Sequence, residues 1–328
     1  MPEFKDFEGQ SAHLTRLRRE FSDGTYAHAY LFAGPKGTGK RSVARLLAMS
    51  ALCEGGGEKP CGACGPCRRV MADTHPDVHT VQPEKGKRDI SVGVMRDTLD
   101  EVGVHAFEDG AKIFIIPDAD RMNQQAQNSL LKTLEEPPDN TVFILTTARM
   151  AALLPTVRSR LRLVRFDALD YPAAARRLEA LGMQPEKAAA AARLSQGCVG
   201  RALELGDETM EGRRALSAQL FGVHRASGIP AVTDAYKDDK TDREQLLYDV
   251  EGIVRDVLAA QAGGLELEET LFAAEALAYA SRVPVEGGLK LMRAVQTARR
   301  MLTSHVTFTA VLETILLEVA EEYRQWPW

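Results

Sequence analysis

Residues 29–42 read Ala29-Tyr30-Leu31-Phe32-Ala33-Gly34-Pro35-Lys36-Gly37-Thr38-Gly39-Lys40-Arg41-Ser42. A short apolar run, sized for a buried strand, breaks into glycine. Val43, Ala44, Leu46, Leu47 and Leu52 then recur at helical spacing. Strand, glycine loop and helix is the setting of the phosphate-binding pattern G-x-x-x-x-G-K-[ST]. In that pattern backbone N–H groups surround phosphate, the lysine reaches the terminal phosphates and the next hydroxyl holds magnesium. Gly34, Gly39 and Lys40 fit, with Gly37 between them, but Arg41 stands where the hydroxyl belongs. Ser42 comes one position late, and one residue at a helix start turns a side chain by about 100°. The loop is therefore a degenerate nucleotide-binding candidate made of Gly34, Gly37, Gly39, Lys40, Arg41 and Ser42. A bland glycine-rich turn is the competing reading.

Such a loop needs a second strand ending in carboxylates that hold the metal and polarise water. Lys112-Ile113-Phe114-Ile115-Ile116-Pro117-Asp118-Ala119-Asp120 supplies the strand. Its first carboxylate position is Pro117, which cannot bind a cation, and Asp118 follows as the one candidate base or ligand. With both magnesium positions altered, the expectation is a site not used for ATP hydrolysis, with poor Mg²⁺ and ATP binding. Relocated ligands in a working site are the alternative.

Further stretches make a resemblance specific. They are Phe7-Glu8-Gly9-Gln10, His28 to Phe32, His75-Pro76-Asp77, Asn128-Ser129-Leu130-Leu131-Lys132-Thr133-Leu134-Glu135-Glu136-Pro137-Pro138, and Ser159-Arg160. On these the chain resembles the delta-prime family of bacterial DNA polymerase III clamp-loader subunits, which are AAA+ proteins. The matches run in order through the first half; the second half matches only in length and helical character. The resemblance implies a partner in a loader, assembled with gamma/tau-like ATPase subunits and a delta subunit, that loads a sliding clamp on primed DNA. It also implies that the Ser-Arg pair supplies Arg160 in trans to a neighbour's nucleotide. Leu161 departs from the family's Ser-Arg-Cys without removing the charge. A guanidinium suits the task because it is always charged and forks onto phosphate oxygens. Arg158, Arg160 and Arg162 would share a face if their segment were extended; a solvated basic edge is the bland alternative. The resemblance further places a phosphate-sensing residue at Thr146 or Thr147, where a strand-capping threonine is the alternative. It places a second sensor at Arg201 in Gly200-Arg201-Ala202-Leu203, where a surface arginine is the alternative.

Cys53, Cys61, Cys64 and Cys67 form C-x7-C-x2-C-x2-C among glycines. Tight C-x2-C turns bring thiolates onto one metal, and four sulfurs close a structural zinc site with no open position. A disulfide pair competes, but residues 1–20 are polar and charged, without the apolar core of an export signal. The resemblance implies a zinc module at this point. A DNA-reading finger is a weaker reading, since the spacing lacks that class's recognition helix. Cys198 stands apart and reads as an ordinary buried thiol.

The 328 residues are 45% hydrophobic and 27% charged, with a formal net charge of −5. That balance suits a soluble cytoplasmic protein of two or three domains and argues against a free-standing DNA binder. No apolar run is long enough to span a bilayer, so no membrane partner is expected. Strands are expected at 30–33, 78–81, 113–116, 142–146 and 163–166, alternating with helices in the doubly wound, parallel-sheet pattern. Residues 1–166 thus read as a P-loop α/β domain with the zinc module at 53–67, which the resemblance makes an AAA+ domain.

From Asp167 the strand signal stops. Pro172 and Pro185 open alanine-rich helices, and the resemblance makes 167–207 a small helical lid. Residues 208–328 read as an all-α domain, which the resemblance assigns to an oligomeric collar. Leu246/Leu247, Val250, Ile253/Val254 and Val257/Leu258 form one apolar helix face, and Phe308 to Val319 form another. Asp234 to Glu244 reads as a loop or helix start. The favoured function is a non-hydrolysing stator. The alternative is an active AAA+ motor, against which Arg41, Pro117 and the lack of a long extension past Trp328 speak.

Overall fold

The computed structural model describes every residue except 1, 2, 5, 6, 8–10, 88, 105, 108, 109, 205, 206, 237–242, 265, 268–270, 305, 327 and 328. Glu8-Gly9-Gln10 of the resemblance, the middle of the 234–244 loop and Trp328 lie outside the described residues.

The apolar runs pair as strands β1 (Ala29–Ala33), β2 (Val78–Thr80), β3 (Lys112–Ile116), β4 (Thr141–Thr147) and β5 (Arg162–Arg165). They form one parallel sheet in the order β2-β3-β4-β1-β5. α1 (Ser11–Ser22) precedes the first strand; parallel strands need long crossovers, and helices provide them: α2 (Lys40–Leu52), α3 (Gly65–Met71), α4 (Val92–Val102), α5 (Gln124–Glu135) and α6 (Pro155–Arg158). Side chains alternate along each strand, so both faces must be covered. Tyr30, Phe32, Ile113, Ile115, Val142 and Ile144 face one core with Leu14, Phe21, Val43 and Leu47. Leu31, Phe114, Ile116, Phe143 and Leu145 face the other with Met95, Ala126, Leu130 and Leu134. That double burial is why the strands read as continuous apolar runs rather than alternating ones.

Next come α7 (Tyr171–Ala180), α8 (Pro185–Leu194) and α9 (Val199–Ala202). The Asp170 carboxylate caps α7 by accepting from Ala173 N at 2.7 Å. Ala174, Leu178, Ala188, Ala191, Ala192 and Ala202 make a small core, closely packed because its side chains are small. These helices fall with the sheet in one unit, Met1–Leu203.

The second unit, Glu204–Trp328, is helical throughout its described elements: α10 (Asp207–Phe221), α11 (Ile229–Asp234), α12 (Arg243–Gln261), α13 (Ala274–Arg282), α14 (Val285–Thr303) and α15 (Phe308–Gln325). The apolar stripes on α12 and α15 are buried as their spacing requires. The α12 stripe also buries Asp256, which accepts from Arg213 at 2.7 Å with both side chains under a tenth exposed. Tyr279 packs against Phe221 and Tyr323, the latter edge-on at 5.5 Å. Among the described residues no helix is long and apolar enough to cross a membrane.

Candidate functional site

The glycine loop leaves β1 at the carboxyl end of the sheet, beside β4, where ligands bind in open parallel sheets. Gly34 is required by close approach: a Cβ there would lie 1.9 Å from the Phe166 carbonyl oxygen. Gly37 and Gly39 both have φ near 85°, the left-handed region that favours glycine. Lys40 is 7% exposed, and its Nζ donates to the carbonyls of Gly34 (2.7 Å) and Pro35 (2.6 Å). Burial holds the Lys40 ammonium below the ordinary lysine range, opposed chiefly by the Asp118 carboxylate and then by Cys198 and Asp120. Arg41 lies exposed in the first turn of α2, and Ser42 beside it is half-buried. Phe7 closes on Gly39 so tightly that a Cβ at Gly39 would stand 2.3 Å from its ring.

β3 delivers Pro117 and Asp118 to the same end of the sheet. Asp118 takes a left-handed conformation, φ 47°, and its N–H donates to Thr146 Oγ1 at 3.2 Å. Thr146 thus ties the ends of β3 and β4 together. Thr147 donates to Asp120 Oδ1 at 2.9 Å, and Arg149 Nε donates to Asp120 Oδ2 at 3.0 Å. This Asp120–Arg149 pair was missed in the sequence, where Arg149 carries no motif and its partner stands 29 residues away.

The small helices reach the loop through backbone. Gly200 N donates to Gly37 O at 2.8 Å, and a Cβ at Gly37 would meet Arg201 N at 2.6 Å. Arg201 is 8% exposed, so the surface-arginine alternative does not describe it. Cys198 is buried, as expected; burial pushes its thiol up, countered by Arg201 and then Lys40. Sequence reasoning set Cys198 aside without seeing that it neighbours the phosphate-loop lysine.

Arg160 sits elsewhere. The parallel pairing Tyr30↔Arg162 puts the start of β5 level with the start of β1. Arg160 therefore lies at the amino end of the sheet, and Gly34 at the carboxyl end, about 13 Å along the strands from Arg162. The condition for a shared face of Arg158, Arg160 and Arg162 is not met, because the segment is not extended. Pro155 opens α6, and backbone bonds from Arg158 N to Leu154 O, Ser159 N to Pro155 O and Arg160 N to Val157 O wind the chain up to β5. Arg162 is instead committed to Glu20, donating at 2.7 and 3.1 Å. Arg160 Nη1 donates to Thr156 O at 2.7 Å and to Ser159 Oγ at 3.3 Å. Its Nη2 donates to Glu135, the last residue of α5.

The four cysteines converge where α2 ends and α3 begins, and their sulfurs lie within 4.8 Å of one another. Tetrahedral Zn–S bonds of about 2.3 Å require sulfurs about 3.8 Å apart, so the set fits a metal ion with small adjustment. Cys61 N donates to Cys53 Sγ and Cys64 N to Cys61 Sγ, each at 3.3 Å. Such N–H groups favour thiolates, and those of Ala63 and Cys64 bring the Cys61 thiol down to about 6. A Cβ at Gly55 would press to 2.7 Å from Cys61 Sγ, which explains glycine there. All five cysteines are unbridged, so the disulfide alternative is not what the fold adopts. Arg18 of α1 anchors the cysteine loop through Glu58 and the Lys59 carbonyl.

A family model described as DNA polymerase III, delta subunit, matches residues 9–170. The chain is 32% identical over 305 residues to the DNA polymerase III subunit delta' of Bacillus subtilis (strain 168), covering 90% of this chain and 91% of that one. It is 38% identical over 192 residues to the DNA polymerase III subunit delta' of Escherichia coli (strain K12), 58% of each chain. A match of 34% identity over 214 residues joins it to the DNA polymerase III subunit tau of Escherichia coli (strain K12), covering 63% of this chain and 33% of that one.

Proposed function

The chain belongs to the delta-prime family of DNA polymerase III subunits, and on that premise we propose that it is the stator of a clamp loader. It assembles with gamma/tau-like ATPase subunits and a delta subunit, helps load the sliding clamp on primed DNA, and lends Arg160 to a neighbour's nucleotide without hydrolysing ATP itself. The observation that carries this reading is position. Arg160 stands at the amino end of the sheet and cannot reach phosphate held by its own loop at the other end. A third-exposed guanidinium away from its own loop suits a neighbour's nucleotide, where it would offset charge on the transferring phosphoryl group. The altered carboxyl end agrees: Arg41 and Pro117 occupy the metal-ligand positions, and Lys40 is bonded to its own loop. In this reading residues 1–166, 167–207 and 208–328 act as nucleotide-type domain, lid and collar, in the cytoplasm. Thr146 and Arg201 keep sensor positions in a site that no longer turns over.

The test is DNA-stimulated ATP turnover of the loader reconstituted with its own partner subunits, comparing the natural chain with Arg160→Ala. The stator reading requires an inactive isolated chain and a slowed complex; unchanged turnover would refute it. The 34% identity to a tau subunit and the intact Gly34-Gly39-Lys40 frame favour a second reading, an ATPase motor. Tight magnesium-dependent ATP binding by the isolated chain in titration calorimetry would select it.

We also assign the four cysteines a structural zinc ion. Bound zinc would cross-link the end of α2 to the start of α3 through Cys53, Cys61, Cys64 and Cys67, a closed donor set with no place for substrate. One zinc per chain by elemental analysis, lost in Cys64→Ser, is the expected result. A metal-free chain after purification without chelators would overturn the assignment.

A further inference from the structure

Glu135 ends α5, where the helix dipole disfavours a carboxylate. Its oxygen accepts from Arg160 Nη2, so a locally unfavourable charge has a cation opposite it, contributed from 25 residues further along the chain. Both side chains remain partly in water, Arg160 at 33% and Glu135 at 51% exposure. Thr156 O and Ser159 Oγ hold the other terminal nitrogen. The guanidinium is therefore fixed on two sides by its own chain while its surface stays open to a neighbour. Among the described residues its Nε–H makes no hydrogen bond.

A long arginine side chain ordinarily loses much rotamer freedom when it takes up phosphate, and prior ordering removes that loss from the binding step. We propose that Glu135 is a positioning residue: by pairing with Arg160 at the amino end of the sheet it holds the guanidinium in one rotamer, ready for the phosphate groups bound by an adjoining subunit. The inference rests on reading Arg160 as an arginine donated in trans. An exposed ion pair is weak enough for phosphate to displace. Glu135 thus orders the arginine in the free subunit without withholding it.

The experiment is a double-mutant cycle in the reconstituted complex, with ATP turnover measured for the natural chain, Glu135→Ala, Arg160→Ala and the double variant. Glu135→Ala is expected to lower kcat about two- to fivefold with KM for ATP unchanged. It should have no further effect once Arg160 is gone, and Glu135→Gln, which keeps an acceptor oxygen, should fall between. A purely structural role would lower turnover equally in both backgrounds and would overturn the proposal. A rise in turnover would also overturn it, by making the contact a restraint. If Arg160→Ala slows the complex and Glu135→Ala does not, this inference fails alone. If neither does, the trans reading of Arg160 fails and takes the inference with it.

Discussion

The two ends of the one sheet differ in kind. At the carboxyl end the chain builds a phosphate loop with the right glycines and lysine and then occupies it with itself: Lys40 bonds to Gly34 and Pro35, Phe7 presses on Gly39, and Gly200 bonds to Gly37. At the amino end Arg160 is held by a short wound segment and one helix terminus and remains a third exposed. The first end is over-determined by packing, the second lightly held. The geometry of the loop thus has structural reasons of its own, in the packing of Gly34, Gly37 and Gly39 against neighbouring segments.

The largest expected effect breaks the amino end. Under the proposed trans role, Arg160→Ala should lower ATP turnover about a thousandfold at the neighbouring subunit's site, seen in single-turnover measurements on the complex, with the isolated chain's folding unchanged. At the carboxyl end the loss should be of stability instead. Gly34→Ala forces a methyl group to within 1.9 Å of the Phe166 carbonyl and should cost about 1–3 kcal/mol in urea denaturation.

The sheet between the two ends should sense pH through His79, which stacks on Phe114 at 4.8 Å. Burial, and then the Lys112 charge, hold this imidazole below its ordinary range. The unfolded chain therefore binds its proton more readily than the folded one. Stability from this group is complete above about pH 6.5 and is lost as pH falls through the ordinary histidine value toward the lower folded one. His79→Phe should flatten that part of the stability profile; an unchanged slope between pH 7 and 5 would exclude His79 as its source. The smallest effect sharpens the contrast most. Lys40→Ala should leave turnover of the complex within about twofold of the natural value, whereas a motor subunit would lose its own site.

The sequence made the sheet legible because parallel strands buried on both faces announce themselves as apolar runs. Ile113 to Ile116 and Val142 to Thr146 needed no context beyond their own composition. The amphipathic faces of α12 and α15 were legible for the same reason, although Asp256 interrupts the first with a charge that only Arg213, 43 residues away, explains. Whether the arginines of 158–162 share a face was left open by their alternation, because only the three-dimensional structure shows that Pro155 starts a helical turn whose bonds run backward into 154–157. The pairings Glu135–Arg160 and Asp120–Arg149 join residues 25 and 29 apart, and no local pattern encodes such a contact. Thr146 was noticed as a polar strand end, but its bond to the Asp118 backbone depends on that residue's left-handed φ, which the amino-acid type alone does not dictate.

The bond from Gly200 to Gly37 joins two residues that have no side chains, and a Cβ on either would strike the other segment's backbone, at 2.9 and 2.6 Å. Small helices and glycine loop are therefore fastened like a rivet rather than a spring. Substitution at these two positions cannot grade the fastening; it can only keep it or break it. Any evolutionary adjustment of how firmly those helices are held to the loop has to be written in the neighbours that do carry side chains, Cys198 and Arg201 first among them.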